Sequence, residues 1–126
     1  MSLKECKVGT AVPVSDFARA KDFYEGKLGL KPGEDGDEMA TYECGGGTGL
    51  FVYVSEHAGT NKATLAGFEV DDFDAMHEML KQRGVEFEQY EGEVETDENG
   101  VFEAPEGGFR AAWFKDPDGN IFAING

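Results

Sequence analysis

Val14-Ser15-Asp16-Phe17 and Val70-Asp71-Asp72-Phe73 lie over one another at an offset of 56 residues, position 14 against position 70. The likeness continues beyond them. Ala20, Phe23 and Tyr24 fall on Met76, Met79 and Leu80, and Lys27-Leu28-Gly29-Leu30 comes within one residue of Gln82-Arg83-Gly84-Val85. Each copy opens on a run of β-branched and apolar residues, Val8 to Val14 and Thr64 to Val70, which reads as a strand. A helix follows in both. Ser15 or Asp16 caps the first, Phe17, Ala20, Phe23, Tyr24 and Leu28 supply its apolar stripe, and Gly29 ends it. Asp71 or Asp72 caps the second, Phe73, Met76, Met79 and Leu80 form its stripe, and Gly84 ends it.

Strands and turns complete each copy. Met39 to Cys44 and Leu50 to Val54 flank Gly45-Gly46-Gly47-Thr48-Gly49, a run suited to a hairpin turn with positive φ. A phosphate loop is excluded, because no helix start and no Lys-Ser/Thr pair follows the glycines. In the second copy Glu86 to Tyr90, Arg110 to Phe114 and Ile121 to Ile124 read as strands, with Asp116-Pro117-Asp118-Gly119-Asn120 as the turn before the last. The pattern is strand, helix and about three strands, twice. We read residues 1–126 as a single domain of two modules, about 4–58 and about 62–126, joined by the polar loop Glu56 to Lys62. A half of roughly 60 residues is marginal alone, so the modules are expected to pack together or exchange with those of another chain.

Composition narrows the function. With 26 acidic and 11 basic side chains the chain carries a formal charge of -15, which repels phosphates and argues against nucleic acid and anionic membranes. No apolar stretch reaches the roughly 18 residues of a membrane span, and the N-terminus has no signal-peptide pattern, so a soluble, cytoplasmic protein is expected. Cys6 and Cys44 are far apart and outside any metal spacing, which predicts two buried free thiols.

The pattern Val14-x-Asp16-Phe17 with Phe23-Tyr24, then Leu28-Gly29-Leu30, and finally Ala112-Trp113-Phe114-Lys115-Asp116-Pro117-Asp118-Gly119-Asn120 resembles the vicinal oxygen chelate superfamily. That superfamily includes glyoxalase I, bleomycin resistance proteins and extradiol dioxygenases. The resemblance runs from Val8 to Ile124. It implies an α+β fold in which two βαβββ modules form a curved, mixed eight-stranded sheet, a cup, with helices on the outer face. In the metalloenzymes of the superfamily the cup holds a divalent metal on His, Gln or Glu side chains of the first and last strands of each module. The metal polarises a substrate that chelates through adjacent oxygens. Here the equivalent places hold Gly9, Leu65, Ala123 and Val52, or Tyr53 if the glycine run is shifted by one. Gly9 and Leu65 have no side-chain lone pair to give, and the four places together are unsuited to an ordinary divalent site. His57, in a loop, and His77, expected on the outer side of the second helix, provide no alternative cluster.

No metal or other cofactor is therefore expected, and the resemblance points to a bleomycin-resistance-like protein that sequesters a small, cationic or planar aromatic molecule as a homodimer. A glyoxalase-like lyase or dioxygenase-like enzyme, holding a divalent metal on non-standard ligands, is the alternative. Tyr53, Trp113, Tyr42, Phe51 and Arg110 are the candidate ligand-binding residues: the aromatics offer stacking surface, and Arg110 could pair a carboxylate or a neighbouring Glu. No catalytic residue is identifiable, since Glu43, Tyr42 and Cys44 have no evident proton-transfer partner. From Gly84 to Phe109 the chain has nine acidic residues and no basic one. Such a stretch is a solvated face, or it steers a cation towards the cup.

Overall fold

The computed structural model describes residues 1–126. Strand β1 (Thr10–Val14) leads into helix α1 (Phe17–Lys21), and then come β2 (Pro32–Asp35), β3 (Met39–Glu43) and β4 (Gly49–Val54). The second half repeats the order with β5 (Thr64–Glu69), α2 (Phe73–Gln82), β6 (Val101–Glu103), β7 (Arg110–Lys115) and β8 (Ile121–Asn125). Each half is a four-stranded mixed sheet, ordered β1-β4-β3-β2 and β5-β8-β7-β6. The first strand runs parallel to the last in each half, and β1 lies against β5.

The helix ends follow the sequence. The carboxylates of Asp16 and Asp72 accept from the backbone N–H groups of Arg19 and Ala75, and Gly29 and Gly84 adopt φ of 74° and 94°. The first helix is not uniform, however. After Lys21 it widens into a π-helical turn over Asp22–Lys27, in which the Leu28 N–H donates to the Phe23 carbonyl. One extra residue in the turn turns both Phe23 and Tyr24 inward, with their rings edge to face at 5.2 Å.

Helices cover one face of each sheet. Val12, Val14, Ala40, Tyr42, Leu50 and Val52 of the first sheet share a single core with Ala112, Phe114, Phe122 and Ile124 of the second. Alternation along the strands sends their neighbours to the opposite, helix-free face. Tyr24 joins the modules: its ring lies 6.0 Å from both Tyr42 and Phe122, and its hydroxyl donates to Asp116 Oδ2 at 2.7 Å. Asp116 also accepts from the N–H groups of Asp118 and Asn120 and from Asn120 Nδ2. The same amide nitrogen of Asn120 donates to the Pro13 carbonyl, and the Ser15 N–H donates to the Asp118 carboxylate. The Asp-Pro-Asp-Gly-Asn turn thus fastens the second module onto the first.

Several elements depart from the sequence reading. Glu86 to Tyr90 is not a strand; only Phe87 bridges to Phe114, because Tyr90 and Thr96 tie the chain into a loop. Two strands went unpredicted. β2 starts on Pro32 at the sheet edge, where a missing N–H is tolerated, and β6 has only three residues. His77 is buried, not solvated: its ring stacks 4.2 Å from Phe87 and its Nε2–H donates to the Asn99 carbonyl. The cysteines are free as expected, but Cys6 is exposed and Cys44 half-buried.

Candidate functional site

The helix-free face of the first sheet is built from Ala11 and Pro13 of β1, Met39 and Thr41 of β3, and Phe51 and Tyr53 of β4. That of the second carries Gly67 of β5, Ala111, Trp113 and Lys115 of β7, and Ile121 and Ala123 of β8. Pairing fixes the correspondence between them. Ala123 sits between Gly67 and Trp113, and Phe51 sits between Ala11 and Thr41 in the same pattern. The counterpart of Ala123 in the first module is therefore Phe51. Val52, assigned to that place from the sequence, points into the core and is fully buried opposite Val12. Parity settles this, since a shift of one residue moves a side chain to the other face.

The donor set at these places does not fit a divalent metal. Gly9 precedes β1, Leu65 occupies a register shift between Thr64 and Ala66, and Phe51 and Ala123 have no lone pairs to give. No group of three or more His, Cys, Asp or Glu side chains is placed to hold an ion. Aromatic carbon stands there instead. Phe51 is exposed, and its ring stacks on that of Tyr53 at 5.4 Å with planes 17° apart.

Across the second sheet Trp113 is the anchor. Tyr90 meets it edge-on at 5.6 Å and Phe102 lies 6.3 Å away. Beside Trp113 an open cavity of about 680 Å³ is lined by Tyr90, Val94, Thr64 and Ile121 together with Glu91, Glu93, Lys62 and Lys115. Lys115 is engaged by Glu88 at 3.3 Å. Burial, with the nearby Glu88 charge second, pushes the Tyr90 hydroxyl above its ordinary range, so it is a neutral donor at physiological pH. Part of the acidic stretch therefore borders a cavity, a relation that charge pattern alone left open. The lining combines a π-face, a phenol, two carboxylates and two ammonium groups, of which Lys115 is paired with Glu88 and Lys62 donates to the Gly59 carbonyl.

The remaining candidates lie elsewhere. Tyr42 is 1% exposed and faces the core, where its hydroxyl donates to Glu25 at 2.8 Å. Burial, then Glu25, drives its pKa far above the ordinary tyrosine value, so it is neither a ligand contact nor a proton donor to solvent. Arg110 is on the helix side of its strand. It pairs with Asp74 at 2.7 Å and lies over the Phe73 ring at 4.6 Å. Tyr90 lines this cavity without having been a candidate, and Glu91 and Glu93 entered the sequence analysis only as part of the acidic stretch, because nothing in that segment's sequence shows that it folds back over β7.

Two mixed four-stranded sheets, each preceded by the same strand-helix unit and each bare on one face, define a paired βαβββ protein. The chain belongs to the Glyoxalase/Bleomycin resistance protein/Dioxygenase superfamily, whose family model matches residues 8–124. Among solved structures it is similar to a glyoxalase/bleomycin resistance protein from Catenulispora acidiphila, with 29% identity over 94% of this chain and 96% of that one and a TM-score of 0.68. It is also similar to TnmS3, an antibiotic binding protein from Streptomyces sp. CB03234, with 27% identity, 94% and 93% coverage and a TM-score of 0.67. A glyoxalase/bleomycin resistance protein/dioxygenase from Alicyclobacillus acidocaldarius shares the fold, with a TM-score of 0.72 at 22% identity over 99% of this chain and 93% of that one. No curated protein matches the chain. No helix is long and apolar enough to cross a membrane.

Proposed function

We propose that this protein binds a planar, aromatic cation on its helix-free faces without a metal, sequestering the molecule rather than transforming it. The observation that carries this reading is the cavity beside Trp113 with Tyr90, Glu91 and Glu93 in its wall. Phe51, at a place where the family's metalloenzymes hold a ligand, adds an aromatic surface and removes a donor. The antibiotic binding described for TnmS3 is in keeping with it.

The working unit in this reading is a homodimer in which the bare face of one copy covers that of another. A chain of 13.7 kDa folded compactly exposes about 6,600 Å², whereas this one exposes 7997 Å². The excess on one copy is more than the roughly 800 Å² that each partner contributes to a standard interface.

Trp113 is the sole tryptophan, so its fluorescence reports the site directly. Titration with 9-aminoacridine should quench it to saturation, and acridine-9-carboxylate, of the same shape but opposite charge, should bind at least tenfold more weakly. Glu91→Gln with Glu93→Gln should narrow that difference. Equal affinity for both acridines, or stoichiometric uptake of Zn, Ni, Mn or Fe in a metal titration, overturns the proposal.

A further inference from the structure

Six core positions of the first module are sealed from solvent, and their repeat counterparts in the second are only half sealed. The 56-residue offset sets Val12, Val14, Ala20 and Tyr24 against Phe68, Val70, Met76 and Leu80. Strand pairing sets Tyr42 and Val52 against Phe114 and Ile124. The first six are each at most 2% exposed. Among their counterparts Leu80, Phe114 and Ile124 stay buried, whereas Phe68, Val70 and Met76 are half-buried. The helix residue explains the gap. Where the Tyr24 ring stacks 6.0 Å from Tyr42, the second module offers Phe114 only the shorter Leu80.

A cavity of about 200 Å³ lies at that place, lined by all six counterparts together with Leu28, Leu30 and Glu69. Glu69 is exposed, and strand alternation turns its carboxylate to the face opposite Phe68 and Val70. The side chains that do face the cavity are therefore apolar. Two cations stand outside the rim: Lys27 Nζ donates to the Gly84 carbonyl at 3.4 Å, and the Arg83 guanidinium lies over Gly29. Both are exposed and screened by water. A charge drawn inside would give up its hydration for a wall with no side-chain partner.

We propose that this cavity is a second small-molecule site, on the helix side of the sheets, for a small neutral apolar molecule such as a single alkyl-substituted aromatic ring. A cavity of about 150 Å³ lined by Leu, Ile and Phe stays dry and binds benzene, and this one has the same kind of wall and slightly more room. The guest ring takes the place against Phe114 that the Tyr24 ring holds against Tyr42. No residue is shared with the cavity beside Trp113.

The test is ligand-observed NMR and calorimetric titration of the full chain with toluene, benzylamine and benzoate. Toluene should bind, and the ammonium and the carboxylate, built on the same ring, should bind at least about tenfold more weakly because neither charge finds a partner in the wall. In the methyl spectrum of the four methionines, Met1, Met39, Met76 and Met79, toluene should move the Met76 resonance most. Leu80→Phe, which supplies the missing ring, should abolish toluene binding, and Met76→Phe serves the same purpose if Leu80→Phe does not fold. Saturating 9-aminoacridine should leave toluene binding unchanged, so either titration can fail while the other stands. Failure of toluene to bind, equal or tighter binding of either ion, a larger shift at another methionine, retained binding in a folded filled variant, or displacement by the acridine each overturns the proposal.

Discussion

Replacing Tyr24 by Phe removes one hydroxyl from the junction between the modules and leaves the ring in place. That hydroxyl donates to Asp116 Oδ2 at 2.7 Å, and Asp116 is 5% exposed. The carboxylate keeps three donors, the N–H groups of Asp118 and Asn120 and the Asn120 side-chain amide, so it remains solvated by the protein after the change. The loss is then that of one hydrogen bond to a charged group, about 1.5–3 kcal/mol. Asp116→Ala removes all four bonds and strands the Tyr24 hydroxyl and the Asn120 amide, which raises the cost to about 3–5 kcal/mol. For a domain of this size each kcal/mol lowers the melting midpoint by about 3–5 °C, so Tyr24→Phe should fall by about 5–15 °C and Asp116→Ala further. Guanidinium unfolding measures both, and the double variant should cost less than the sum of the two because the changes share a bond. A loss below about 0.5 kcal/mol for Tyr24→Phe, the level of an ordinary surface substitution, refutes the assignment of this hydroxyl to the seal between modules.

Two further outcomes follow from the surface. Arg110, through its hydrogen bond and charge, holds the Asp74 carboxyl below its ordinary 3.8. A carboxylate lowered in the folded state contributes stability that is present above the unfolded value and is lost as pH falls through the folded one. Arg110→Met should therefore lower the denaturation midpoint at pH 6 by more than at pH 2.5, and an equal loss at both removes the ion pair as its cause. Cys6 is exposed, whereas burial raises the thiol pKa of half-buried Cys44. A thiol reagent at pH 7.5 should label Cys6 first and Cys44 at least tenfold more slowly, which peptide mapping would establish; equal rates contradict the packing around Cys44.

The order of elements was legible because its signals are local. Asp16 and Asp72 cap, Gly29 and Gly84 stop, and the apolar stripes between them have helical period. The 56-residue offset exposed the repeat without any knowledge of contacts. Strands without such signals were missed. Pro32-Gly33-Glu34-Asp35 has no strand propensity and is held at the edge by β3, while Glu86-Phe87-Glu88 alternates as a strand would but finds one bridge. The candidate site was legible only in part. Trp113, Phe51 and Tyr53 do occupy the helix-free faces, but Tyr42 and Arg110 fall on the other side of their strands. A one-residue uncertainty in a glycine turn is enough to reverse a face, as with Val52 and Phe51.

Taken by itself, the sequence determined the paired modules, the capped helices, the acidity and the absence of donors at the metal places, since each depends on residue identity and spacing along the chain. Only the tertiary structure decided what those residues meet. It folded the loop from Tyr90 to Thr96 back over Trp113, so that two of nine acids border a cavity, and it stacked His77 between Phe73 and Phe87. It also plugged one turn with Tyr24 and Asp116 while leaving its glycine counterpart open. Contacts of this kind join residues far apart in the chain, and pairing and packing across the core set them rather than any local preference.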